Sequence, residues 1–207
     1  MKQKEIVIIV PGAAPLTKYP IFIRYLFFSI LYFLRIKPIK EDHADIWGRK
    51  LLRKNGFIWF YWSRKVDNFS LKIAERRLKK VLDSYKNKNI KLVGISIGGQ
   101  IILETLMKKS YDNVSKIIFI GSINGYHKIN FKHKKIINLY SKKDFLTYIS
   151  IKILSPFHGS RRLYGKNIKN IILPNLTHNQ ICSDAKVEKG RFKGKSITQI
   201  ITQLLRD

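Results

Sequence analysis

Acidic residues, cysteine and long charge-free apolar runs are scarce in this 207-residue sequence. Each shortage excludes something. The single cysteine, Cys182, cannot close an internal disulfide, so the chain needs no oxidising compartment and holds itself together by packing. No neighbouring thiol and no His/Cys/Asp cluster gives metal-ligand spacing, and neither GxGxxG nor a P-loop occurs, so no metal and no cofactor is expected. Pro/Ser/Gly-rich linkers and internal repeats are missing, which favours a single domain over residues 1–207. The apolar run at 6–10 stops at Pro11, too early for a secretory signal. A longer apolar stretch, 21–35, contains Arg24 and ends at Arg35, so its charge-free part falls short of the roughly 18 residues that suggest a membrane span.

The shortage of acid is the largest imbalance. Lys and Arg number 41 against 13 Asp and Glu, a formal net charge of +28. Such a charge draws a protein to nucleic acid or to anionic membranes. Here the lysines are spread along the chain, as in Lys86 and Lys88, Lys108 and Lys109, Lys134 and Lys135, and Lys142 and Lys143. Lysine outnumbers arginine and is joined by abundant isoleucine and asparagine, as an AT-rich genome would produce. A solvated basic surface is the plain reading. Nucleic acid is disfavoured because no aromatic stacking platform or recognised module accompanies the charge. An anionic membrane surface stays open as a partner through 21–35, a segment that reads as a cap helix, a dimer contact or a lipid-interface helix with arginines and tyrosines at its edges. A cytoplasmic protein with a capacity for peripheral membrane attachment is therefore expected, with nothing to indicate its oligomeric state.

What is present is 45% apolar residues, enough for a core, arranged in short apolar runs separated by amphipathic ones. Strands are expected at 5–10, 57–62, 90–93, 115–120, 135–140 and 170–173. Helices are expected at 41–54, from 71 to about 86, over 99–107, briefly after Asp144, and in a closing stretch carrying Ile197, Ile200, Ile201, Leu204 and Leu205. Strands that are apolar throughout and alternate with helices imply a mainly parallel sheet of about six strands, in an α/β arrangement with helices on both faces. Residues 15–40 would form an apolar helical insertion after the first strand.

One stretch carries chemistry: Gly94-Ile95-Ser96-Ile97-Gly98-Gly99, between an apolar strand and a helix. A serine on a tight strand-to-helix turn leaves no room for a Cβ two residues before or after it, and Gly94 and Gly98 meet that demand.

Together with an acid after the fifth strand and a histidine after the last, this stretch resembles the α/β-hydrolase superfamily, in a near-minimal serine esterase or lipase-like form. The resemblance covers nearly the whole chain, 14–40 being its least typical part, and the Pro11-Gly12-Ala13 turn departs from it in having no histidine-glycine pair. It implies that Ser96 is the nucleophile, His178 the base and Asp144 the acid, with the backbone N–H groups of Ala13 and Ile97 as the oxyanion hole. Asp112 and Asp184 are the rival acids, and the family order disfavours both because one precedes a strand and the other follows His178. His158 is the rival base, while His43, His127 and His133 read as surface residues; Cys182 reads as packing near the site. The implied activity is hydrolysis of a carboxylic ester or thioester with a lipid-like or apolar acyl group. From another class, a membrane-surface scaffold on the same fold would also explain 21–35.

Overall fold

The computed structural model describes residues 5–12, 57–64, 67–122, 129, 131, 134–145, 147, 162–182 and 184–207. The insertion expected at 15–40 and the helix expected at 41–54 lie outside them, as does most of the short helix expected after Asp144.

Among the described residues six strands form one sheet in the order β2-β1-β3-β4-β5-β6, all parallel. They are β1 (Glu5–Val10), β2 (Phe57–Trp59), β3 (Asn89–Ile95), β4 (Val114–Ile120), β5 (Lys135–Tyr140) and β6 (Ile168–Ile172). Apolar runs become central strands because both of their faces are covered. In β1, Ile6, Ile8 and Val10 point into one core with Leu92, Ile117 and Phe119, whereas Val7 and Ile9 point into the opposite core with Val93, Ile118 and Ile137. At the edge, β6 loses that pattern and leaves Ile172 46% exposed.

Helices α1 (Asn68–Ser84) and α2 (Ile97–Lys108) cover the first face. The short α3 (His178–Cys182) and α4 (Ile197–Arg206) cover the second. α1 starts earlier than its apolar periodicity predicts, because the Asp67 side chain accepts from Ser70 N at 2.7 Å and caps it. Its face Ala74, Leu78 and Leu82 is buried while Arg76, Arg77, Lys79 and Lys80 stay exposed, which is the docking of an ordinary amphipathic helix. β2 is shorter than expected: the chain leaves the sheet after Trp59, and Trp62 turns its indole toward β1.

The N-terminal edge of the sheet shows where some of the excess charge goes. Lys91, Lys116 and Lys135 are neighbours in register across β3, β4 and β5. Lys91 Nζ donates to Leu205 O at 2.6 Å, Lys116 Nζ to Leu204 O at 2.9 Å and Lys135 Nζ to Asp207 O at 3.0 Å. These are carbonyls at the C-terminal end of α4, where a helix leaves acceptors unsatisfied and favours cations. Burial, and then the two neighbouring lysines, lower Lys116 below the ordinary lysine pKa. Among the described residues no helix is long and apolar enough to cross a membrane.

The connections out of β1 and out of β3 run in opposite directions across the sheet. The carboxyl ends of β1 and β3 therefore flank the topological switch point, where α/β sheets open a crevice.

Candidate active site

Ser96 sits at that crevice, between β3 and α2, with φ 52° and ψ −125°. Such a conformation costs a non-glycine residue about 1–3 kcal/mol and persists only where the surroundings impose it. They do so here. Ser96 N donates to Ile120 O at 2.9 Å, tying the turn to β4. A Cβ on Gly98 would lie 2.2 Å from Val10 O, and one on Gly94 would lie 2.7 Å from Gly99 Cα, so the end of β1 and the first turn of α2 close on the serine from two sides. Gly99 belongs to the same packing: its Cβ would meet Ser122 Oγ at 2.3 Å, and that hydroxyl donates to Gly94 O at 3.1 Å. Gly12, beyond β1, is also in close approach, with a Cβ position 2.9 Å from Ser96 Cβ.

The structure brings Ser96, His178 and Asp144 into a line. Ser96 Oγ is 3.1 Å from His178 Nε2, and His178 Nδ1 is 3.0 Å from Asp144 Oδ2. A carboxylate offers only acceptors, so the Nδ1 proton faces Asp144 and the Nε2 lone pair is left to accept from the serine hydroxyl. Asp144 follows β5 and is 1% exposed; His178 opens α3 and is 8% exposed, as is Ser96. Asp184 is engaged elsewhere, accepting from Thr198 N at 3.0 Å, and Asp112 lies in the turn before β4. His43, His127, His133 and His158 lie outside the described residues, and so does Ala13. Ile97 is the first residue of α2, where amides have no carbonyl within the helix to bond.

Among the described residues two further side chains reach this line. Thr147 N donates to Asp144 Oδ1 at 2.9 Å, and its hydroxyl donates to Asp144 Oδ2 at 2.7 Å while lying 3.0 Å from His178 Nδ1. Cys182, one helical turn after His178, places Sγ 3.5 Å from Nε2. The sequence offered no motif for Thr147. For Cys182 the i, i+4 spacing from His178 was the available signal.

Electrostatics follow from burial and these contacts. Burial alone would push the Asp144 carboxyl up, but His178 and the hydrogen bonds from His178 and Thr147 outweigh it and hold Asp144 below the usual carboxylate value. Burial would likewise strip the proton from His178. The Cys182 sulfur and the Asp144 carboxylate more than offset this and raise His178 well above the usual imidazole value. Among the described residues no group of three His, Cys, Asp or Glu side chains could hold a metal ion. A hydroxyl that can pass its proton to an oriented imidazole, beside helix N-terminal amides, is equipped to attack a carbonyl carbon.

No family model and no curated protein matches the sequence. Solved structures do match in shape. A bromoperoxidase from Bacillus anthracis superposes with a TM-score of 0.52 at 11% identity, over 100% of this chain and 93% of its own. A predicted CIB-like hydrolase from Thermoplasma acidophilum gives 0.52 at 17% identity, over 98% and 86%. An α/β-hydrolase enzyme from the metagenome of lagoon sediments of Mar Chica, Morocco, gives 0.52 at 12% identity, over 99% and 90%. With the parallel six-stranded sheet, these likenesses give the chain the α/β-hydrolase fold.

Proposed function

We propose that this chain, on its α/β-hydrolase fold, is a serine hydrolase that cleaves a carboxylic ester or thioester with an apolar acyl group through an acyl-enzyme. The fold leaves the reaction open, since one similar structure is a bromoperoxidase and others are hydrolases. The observation that carries the reading is the hydrogen-bonded row Ser96–His178–Asp144, with its serine held in a left-handed conformation at a strand-to-helix turn.

In the proposed reaction Ser96 Oγ attacks the acyl carbon as its proton passes to His178 Nε2. The carbonyl oxygen becomes an oxyanion held by the N–H groups of Ile97 and Ala13. Collapse breaks the bond to the leaving alcohol or thiol, which takes the proton from Nε2. Water then attacks the acyl-serine, giving its proton to the same nitrogen; the bond to Ser96 Oγ breaks, Oγ takes that proton back, and the acid leaves. Asp144 keeps the Nδ1 proton in place and stabilises the imidazolium without taking the proton. An apolar acyl group is favoured by the character of 21–35, which follows the turn assigned to the oxyanion.

Labelling with a fluorophosphonate probe, followed by intact mass, tests this. Wild type should gain one adduct, Ser96→Ala none, and His178→Ala and Asp144→Asn should react at least about a hundredfold more slowly. Wild type that is folded yet forms no adduct would overturn the proposal.

A further inference from the structure

Between α3 and α4 the chain folds back on itself in a hairpin, 186–195, that carries Lys186, Lys189, Arg191, Lys193 and Lys195 against a single acid, Glu188. All five cations are exposed. The backbone beneath them is nevertheless firmly tied. Val187 N donates to Lys195 O at 2.9 Å, Gly194 N to Val187 O at 2.8 Å and Lys193 N to Gly190 O at 3.1 Å. Val187 and Phe192 are buried in the core of the second face, and Gly190 and Gly194 turn the chain at φ 83° and 81°, where a side chain would be strained.

Elsewhere the protein offsets crowded cations. Lys91, Lys116 and Lys135 meet the carbonyls that end α4, while Lys108 and Lys109 pair with Glu75 and Asp83. In the hairpin, Lys195 Nζ donates to Gln203 Oε1 at 2.7 Å and Arg191 lies 5.4 Å from the centre of the Phe192 ring. Among the described residues no carboxylate comes within ion-pair distance of any of the five. Neighbouring cations along so short a segment stand within about one screening length, roughly 10 Å at 0.1 M salt, and act as one positive patch.

The patch lies on the rim of the sheet edge that holds Ser96. A Cβ on Gly190 would stand 3.2 Å from Pro174 Cγ, and Pro174 follows β6 on the way to His178. The direction of α4 agrees. Its last carbonyls meet lysines at the amino ends of the strands, so its first residues, which continue the hairpin, lie toward the carboxyl ends.

We propose that the 186–195 hairpin is a docking surface for an anionic lipid bilayer, and that it presents the crevice at Ser96 to the lipid. The second clause rests on the serine-hydrolase reading, in which an apolar acyl substrate is drawn from the bilayer; the first does not. Positive charge alone also suits nucleic acid, but the chemistry of the patch favours lipid. Four of its five cations are lysines, point charges without the planar fork that grips a phosphate in pairs. Its one aromatic ring, Phe192, is 3% exposed and offers no face for a base to stack on.

The test first measures co-sedimentation of full-length Ser96→Ala protein with phosphatidylcholine vesicles containing about one third phosphatidylserine, and with phosphatidylcholine alone. Binding should require phosphatidylserine and be lost at about 1 M salt. Replacing Lys186, Lys189, Arg191 and Lys193 together by Gln should lower the partition coefficient at least about a hundredfold, since each cation at an anionic leaflet is worth about fivefold. The same change at Arg76, Arg77, Lys79 and Lys80 on α1 removes equal charge and should cost less than about tenfold. Urea midpoints should stay at the wild-type value, because all these side chains are exposed. No binding to the mixed vesicles would overturn the inference, as would a loss no larger in the hairpin variant than in the α1 variant. A tighter hairpin-dependent hold on duplex DNA than on the mixed vesicles would overturn it in favour of nucleic acid. With Ser96 intact, the hairpin variant should cleave p-nitrophenyl palmitate in the mixed vesicles more slowly and p-nitrophenyl acetate in solution at the wild-type rate; equal rates on the vesicle-borne ester would overturn presentation of the crevice. Hairpin-dependent binding without Ser96-dependent cleavage of p-nitrophenyl acetate would overturn the hydrolase reading and support docking, so the two failures are distinguishable.

Discussion

Thr147 holds both oxygens of the Asp144 carboxylate and faces Nδ1 of His178, so loss of its hydroxyl acts on two partners at once. Thr147→Val keeps the shape and the backbone N–H but removes one charge-assisted contact, which is worth about 1.5 kcal/mol or more. Fluorophosphonate labelling of Ser96 should slow by about tenfold in that variant and stay near wild type in Thr147→Ser; equal rates in all three would reduce Thr147 to packing. The titration of His178 gives a second expectation at this scale. As the proposed base, His178 would work only when unprotonated, so the labelling rate should rise with pH through an inflection above the usual imidazole value of about 6.5. Cys182→Ala removes one of the groups that raise His178 and should move the inflection down; an inflection that stays in place would remove Cys182 from the account. Both shifts are also stability statements. With its folded value raised, His178 contributes fully below the usual imidazole value and loses that contribution as pH rises through the raised value. Asp144, held low, contributes above the usual carboxylate value and loses it as pH falls through the lowered one.

The elements that seat the serine depend on backbone-to-backbone approach, which side-chain repacking cannot relieve. In Gly98→Ala the new Cβ would meet Val10 O at 2.2 Å and Pro11 O at 2.7 Å, forcing α2 away from β1. A loss of about 3 kcal/mol is expected from urea unfolding, at the upper end of overpacking costs. A midpoint unchanged from wild type would show that α2 can slide. The strand-to-helix turn was legible in the sequence because glycines at fixed offsets between an apolar strand and an apolar helix leave few alternatives. The same reading placed the sheet, since runs such as 115–120 and 135–140 are apolar on both faces. It missed what lies between elements. Trp62 and Arg64 bond to carbonyls 51 and 52 positions away, and no local pattern announces that. The Asp67 cap was overlooked because α1 was read from its apolar stripe, which starts later than the helix. The row Lys91, Lys116 and Lys135 exists only through strand register, so in the sequence those residues were indistinguishable from the solvated lysines around them.

For the molecule as a whole, the site is a product of topology. Its parts come from the ends of β1, β3, β5 and β6, and they meet because a parallel sheet puts all carboxyl ends on one edge. Competence of Ser96 toward the fluorophosphonate should therefore return only with the slowest main phase of refolding from urea, as measured by quenching with the probe at successive times. Reactivity that returns earlier would mean that the serine and its base assemble without the rest of the sheet. Not all of the net charge of +28 is surface field either, since buried Lys116 and Lys134 donate to backbone carbonyls inside the fold.

The central position of β1 has a consequence for the protein as it is made. Its partner on the site's side, β3, pairs Val10 with Gly94, so the ribosome must add the whole intervening stretch before the two can meet. At about 5–20 residues per second that interval is on the order of ten seconds. For that time a strand of Ile and Val leaves a row of unpaired N–H and C=O groups on the side that later borders the serine, an invitation to pair with another chain. The geometry that gives the finished protein its crevice therefore leaves β1 of the nascent chain without its partner on the serine's side until β3 has been made.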